Sequence, residues 1–272
     1  MSHTARDTRQ SLRAAVAQRH LKAEVAHCVG GVLSPLLANV ALSVLDEHFA
    51  EAAGGPRSTT KQRWTRRQSG LPNYRLIRYA DDFVILVSGT RLHTEALLPE
   101  AAAVLSTVGL RLSEEKTLIT HIDDGLDFLG WRIQRHHKRG TNQQFVYNYP
   151  AKKALRAVKA KCKATCRMNV SWPLAVLLHR LNLVLRGWTT YFRPGVSSRA
   201  FQHLRMIVWR QVWGWLRRKH LHTGWRKLRR RYCDGGWWPR DGKVALFNPG
   251  AVTTTRYRPR GTTIPSPWPS MT

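Results

Sequence analysis

Acidic side chains are scarce in this chain. Asp and Glu number 16 against 45 Lys and Arg, a formal net charge of +29 over 272 residues. A surface so one-signed repels itself unless a polyanion lies against it, which points to nucleic acid before an acidic membrane surface. Cysteine is rare too, four in all, too few for a disulfide scaffold. Long apolar runs are missing: none approaches the roughly 20 residues needed to span a bilayer. The opening MSHTARDTRQSLR has no apolar signal core. These absences argue against a membrane or secreted protein and lead us to expect a bacterial-type cytoplasmic one. An Arg-rich organelle leader is the weaker alternative. Hydrophobic residues still make up 43%, enough to build a core.

The charge is uneven. Residues 151–272 hold 26 Lys and Arg against two acids, Asp234 and Asp241, and carry nine of the eleven tryptophans. This break predicts a boundary near Pro150. Before it, residues 8–26 suggest a modest helix, and SPLLANVALSVLDEHF a clear one with Ser34 as N-cap and Pro35 in its first turn. RSTTKQRWTRRQSGLPN reads as a basic loop. Leu76–Tyr79 and Phe83–Val87 are strand-like. A helix is expected over Glu95–Val108, either kinked or delayed by Pro99. LRLSEEKTLIT and LDFLGWRI read as two short strands, with a solvated Asp-Asp-Gly turn between them. Beyond Pro150 the pattern is helical: 151–168, Leu174–Leu185 and Phe201–Leu216, then an irregular tail from Gly235. The fold class expected is α+β.

Asp81 and Asp82 stand side by side between the two apolar strands. Adjacent carboxylates repel unless a cation offsets them. Such hard oxygen ligands suit Mg²⁺, which serves nucleotidyl transfer by stabilising attacking and leaving oxygens. The plain alternative is a solvated turn, since aspartate is common in turns.

The flanking residues extend the pattern. RYADDFVIL resembles the Tyr-X-Asp-Asp motif of reverse transcriptases. GGVLSPLLANVALSVLDEHF before it, GLRLSEEKTLITHIDDGLDFLGWRI after it, LNLVLRGWTTYFR and RYRPRGTTIPSPW are similar to successive blocks of group II intron-encoded reverse transcriptases, or maturases. The resemblance covers about Gly30 to Trp268. It implies a partial polymerase palm over 30–149, an antiparallel sheet with helices, after an unmatched and helical 1–29. A helical basic thumb, or maturase domain X, would occupy 150–272. It implies that Asp81 and Asp82 bind catalytic Mg²⁺ and that Lys116 assists pyrophosphate departure. Ser34, Pro35 and Asn39 would line the template and nucleotide site, with Tyr79 and Ala80 beneath the primer end. Phe128, Leu129 and Gly130 would form the primer grip. The implied partners are group II intron RNA, a template–primer duplex and, if the chain is active, deoxynucleotides.

The resemblance breaks at one point. Two-metal polymerases need a third carboxylate on another strand, and neither Asp7 nor Glu24 sits in strand-like sequence. The glutamine usual before the paired glycines is replaced by the run His27-Cys28-Val29. The expectation is a C-terminal portion that is not polymerase-competent alone; a non-catalytic intron RNA-binding module is the alternative.

In the basic half, cations suit phosphates while aromatic and guanidinium planes suit unpaired bases. Arg186, Trp188, Arg217, Arg218, Lys219, Arg226, Lys227, Arg229, Arg230 and Arg231 are the candidate RNA contacts. Trp188 serves equally well as a packed aromatic beside a helix joint at Gly187. Cys162, Cys166, His220, His222 and Cys233 lack the tight spacing of zinc sites.

Overall fold

The computed structural model describes residues 14–20, 34–113, 117–137, 140 and 143–255, with the backbone alone for 14–20, 34 and 35. The chain divides into two units, one from residues up to 128 with 133–146, the other from 129–132 with 147 onward. Helices and small antiparallel sheets mix in the expected α+β class. No helix among the described residues is long and apolar enough to cross a membrane.

The first unit is built on a four-stranded sheet. Its strands are β1 (Ala14–His20), β2 (Asn73–Tyr79), β3 (Asp82–Ser88) and β4 (Leu118–His121), in the order β2-β3-β1-β4. β3 lies inside the sheet, and its Phe83, Val84, Ile85 and Val87 are all buried, as a near-continuous apolar run requires. Against it pack α1 (Ser34–Glu51) through Leu42, Leu45 and Phe49, and α3 (Arg91–Ser106) through Leu97, Ala101 and Leu105. Each of the leucine and phenylalanine side chains contributes roughly 1.5–3 kcal/mol by leaving water.

Four expectations are corrected here. Ala14–His20 is a strand rather than part of a helix, paired with β3 from Ala14↔Ser88 to His20↔Asp82. Its gain is pairing for the backbone groups along β3's second edge, which a seven-residue helix could not supply. The basic loop contains a helix, α2 (Thr60–Gln68). A capping box starts it: Gln62 N donates to Thr59 Oγ1 (3.2 Å) and Thr59 N to Gln62 Oε1 (2.8 Å). α3 begins at Arg91, capped by Thr90, and runs through Pro99. LDFLGWRI is two strands, β5 (Leu126–Phe128) and β6 (Trp131–His137). With β7 (Gln144–Pro150) they form a three-stranded sheet, order β5-β6-β7, where the chain divides.

The second unit is helical. α4 (Lys152–Met168), α5 (Leu174–Phe192) and α6 (Ser198–Lys219) bury Val158, Cys162, Leu177, Leu178, Leu181, Leu185, Leu204, Val208 and Trp215 together. α7 (Trp225–Tyr232) adds Leu228 and Tyr232. α5 does not stop at Leu185. It passes Gly187 because Thr189 and Phe192 prolong its buried stripe, which outweighs the roughly 1 kcal/mol helix penalty of glycine. The tail from Gly235 is more regular than expected, with a small hairpin of β8 (Arg240–Asp241) and β9 (Val244–Ala245). Buried Asn182 holds it: Nδ2 donates to Ala245 O (2.8 Å), and Oδ1 accepts from Phe247 N (2.7 Å). Cys162 and Cys166 are core thiols, pushed by burial up to about 11 and about 12. The stretch RYRPRGTTIPSPW lies outside the described residues.

Candidate active site and nucleic-acid interface

In the first unit, the pair Tyr79↔Asp82 closes the β2–β3 hairpin around a two-residue turn, Ala80 and Asp81. Ala80 has φ +53°, a region that favours glycine and asparagine but matches the strand twist in such short turns. Asp81 is exposed at the tip, and half-buried Asp82 opens β3 directly before buried Phe83. Tyr79 is 65% exposed.

One guanidinium fixes this tip. Arg78 donates to Asp46 Oδ2 from Nε (2.9 Å) and Nη2 (2.5 Å), and from Nη1 to Asn39 Oδ1 (2.8 Å) and Ala80 O (3.2 Å). Asn39 is thus brought to the turn. Arg78 and Asp46 are positioning residues that sequence reasoning missed. The available signal was a charged residue adjoining the motif and an acid closing the apolar stripe of α1. Ser34 and Pro35 open α1. Lys116 lies outside the described residues.

The two aspartates offer hard oxygens, and Mg²⁺ commonly takes one or two carboxylates plus water and phosphate oxygens. The donor set therefore fits that ion in kind. Among the described residues, no group of three or more His, Cys, Asp or Glu could hold a metal. Asp123 is committed elsewhere. It accepts from Arg135 Nε (2.5 Å) and Nη2 (2.7 Å), and that pairing holds its carboxyl below the usual carboxylate range.

In the second unit, Leu129 and Gly130 make a tight turn at φ +49° and +78°, the signature of a primed hairpin turn. Tyr191 Oη donates to Leu129 O and Ala151 N to Gly130 O, both at 2.8 Å. The Trp131 ring centroid lies 4.8 Å from that of Phe192. Residues of the LGW and GWTTYF motifs are therefore packed together. Phe128 ends β5 and is buried.

The candidate RNA contacts separate into two groups. Arg186, Arg217, Arg226, Lys227, Arg230 and Arg231 are exposed. Arg218, though also exposed, donates to Cys166 O (2.9 Å), and half-buried Lys219 donates from Nζ to the carbonyls of Val170, Ser171 and Trp172. Arg218 thus satisfies a carbonyl in the last turn of α4, and Lys219 satisfies carbonyls just beyond it. Arg229 lies over the Trp237 ring at 4.4 Å. Trp188 packs against Phe192 and Phe201, so its packed reading describes its surroundings. A further set was missed. Lys152, Arg156, Lys163 and Arg167 follow helical spacing along α4 and are exposed, while Lys159, on the side of buried Cys162 and Cys166, is half-buried. Neither acid of this unit meets them: Asp234 pairs with Arg240, and Asp241 accepts from Ala175 N.

Comparison with known proteins agrees with this geometry. The reverse transcriptase (RNA-dependent DNA polymerase) family model matches residues 10–133, and that of the group II intron maturase-specific domain matches 155–233. The chain belongs to the group II intron reverse transcriptase/maturase family. Protein YkfC of Escherichia coli (strain K12) is 36% identical over 140 residues, covering 46% of this chain and 36% of that protein. Group II intron-encoded protein LtrA of Lactococcus lactis subsp. cremoris is 26% identical over 156 residues, covering 41% and 26%. An uncharacterized 91 kDa protein in the cob intron of Schizosaccharomyces pombe is 26% identical over 220 residues, covering 60% and 27%. The chain thus spans between 26% and 36% of the length of these relatives.

Proposed function

We propose that the second unit grips group II intron RNA. In the same reading the first unit presents Asp81 and Asp82 as the metal-binding pair of an RNA-directed DNA polymerase, working on a template–primer duplex and deoxynucleotides in the cytoplasm. The observation that carries this reading is the two-residue turn that sets adjacent carboxylates at the tip of a hairpin rooted in the core. When bound, Mg²⁺ supplies charge neutralisation at the transferring phosphate. The chain's own residues supply position. Arg78 holds the turn carbonyl and Asn39 in one frame. Exposed Tyr79 with Ala80 supports the primer end, while Ser34, Pro35 and Asn39 line the nucleotide site. Lys116 assists pyrophosphate departure, and Phe128, Leu129 and Gly130 grip the primer. Exposed cations on α7 and α4 contact RNA phosphates.

A second reading, a non-catalytic intron RNA-binding module, is favoured by one observation. No third carboxylate joins the pair among the described residues. Primer extension on an RNA template with Mg²⁺ separates the two, run beside RNA-binding titrations of the parent, Asp81→Asn and Asp82→Asn. DNA synthesis by the chain, against the expectation that it is not polymerase-competent alone, selects the polymerase reading when it falls by about a hundredfold or more in the variants, since lost metal stabilisation costs several kcal/mol, with RNA binding retained. Binding without synthesis selects the second reading. Absence of both refutes the proposal.

A further inference from the structure

We infer that Trp225 and Trp237 form a stacking platform for an unpaired RNA base, a refinement that rests on the second unit binding RNA. Both indoles are large and half exposed, Trp225 at 51% and Trp237 at 48%. Their rings stack 5.4 Å apart at 14°. The platform is anchored from beneath. Trp237 lies 6.4 Å from largely buried Trp213, itself 5.8 Å from Trp209. Trp209 Nε1 donates to Trp237 O at 2.7 Å. Arg229 sits 4.4 Å from the Trp237 ring while donating to the carbonyls of Gly235 and Gly236. The aromatic planes are therefore held in place before any ligand arrives, which lowers the ordering cost of binding.

The surroundings select the occupant. α7 carries Arg226, Lys227, Arg229, Arg230 and Arg231 in eight residues, and the nearby acid Asp234 pairs with Arg240. An apolar protein surface would meet this collar of cations unfavourably; a polyanion meets it well. Among polyanions, only one with splayed bases offers a flat face to an indole. In a duplex those faces are stacked on one another. An unpaired loop or bulge nucleotide satisfies both demands: its base extends the indole stack and its phosphates meet the arginines.

The test uses the full chain and two RNAs of equal length: a hairpin with an unpaired loop and a blunt duplex. Trp225→Ala is expected to weaken loop binding by about tenfold or more and leave duplex binding and the salt slope unchanged. Trp225→Phe should keep most of the loop affinity. A 2-aminopurine in the loop should be quenched by the parent and by Trp225→Phe, but not by Trp225→Ala. Equal losses on both RNAs, or unchanged loop binding and quenching in Trp225→Ala, overturn the platform while RNA binding stands. Parent binding to neither RNA overturns both. A parent oligomer that Trp225→Ala dissociates, with RNA binding untouched, assigns the surface to protein contact instead.

Discussion

Arg78 serves structure and site with one side chain. Its side chain is largely buried, 15% exposed, and its guanidinium makes four hydrogen bonds to three residues. A lysine keeps the charge but not the planar fork. Arg78→Lys is expected to cost about 1–3 kcal/mol, since it leaves polar partners unsatisfied, read as a lower denaturant midpoint. In a double-mutant cycle with Asp46→Asn the losses should be less than additive, because both changes break one network. Asp81 and Asp82 were legible as candidates because they adjoin each other between two strand-like runs. The link from Arg78 to Asp46 was not, because it joins residues 32 apart and exists only once α1 packs against β2.

At the level of elements, local signals carried far where packing agreed with them. The apolar spacing of α1 and α6 and the apolar runs flanking the Asp-Asp pair produced the helices and strands expected. α2 carried a capping box in plain view, masked by its charge and by having a single large apolar residue, exposed Trp64. α5 outran its local break at Gly187 because its buried stripe continued. The α6–α7 junction gives a pH prediction. His220 caps the end of α6 and hydrogen-bonds Tyr232 Oη at 2.9 Å. Burial first, then Arg231 and Lys219, lowers its pKa. The folded value therefore lies below the ordinary value of about 6.5. The stabilisation is full above that value and fades as pH falls toward the folded pKa. Melting temperature should drop between pH 7.5 and 5.5 by more in the parent than in His220→Gln.

Across the whole molecule, charge is the governing quantity. Among the described residues of the second unit, exposed cations far outnumber the two acids, of which Asp234 answers Arg240, so RNA affinity should fall linearly with salt on logarithmic axes. Neutralising Lys152, Arg156 and Lys163 on α4 to Gln should flatten that slope by about 0.7–0.9 for each phosphate that no longer meets a cation. Changing Arg218 and Lys219 to Gln should instead lower the melting temperature, because their donors bind carbonyls in the last turn of α4 and just past it. Filter binding across salt concentrations, with melts of the same variants, distinguishes the two sets.

Sequence alone determined the α+β first part, the helical basic second part, the Asp81–Asp82 hairpin and the ordered blocks that carry the family. Each is written in residues a few positions apart, where backbone periodicity and turn chemistry act. Tertiary structure decided what distance in the chain conceals. It made Ala14–His20 a strand because β3 had an edge to pair, set the donors of Arg218 and Lys219 on backbone carbonyls at the end of α4 and just past it, and left Trp225 half in solvent while Trp215 went to the core. Like residues in like surroundings diverge because burial and hydrogen-bond partners depend on which segments meet in space, and neighbours in sequence do not encode that meeting.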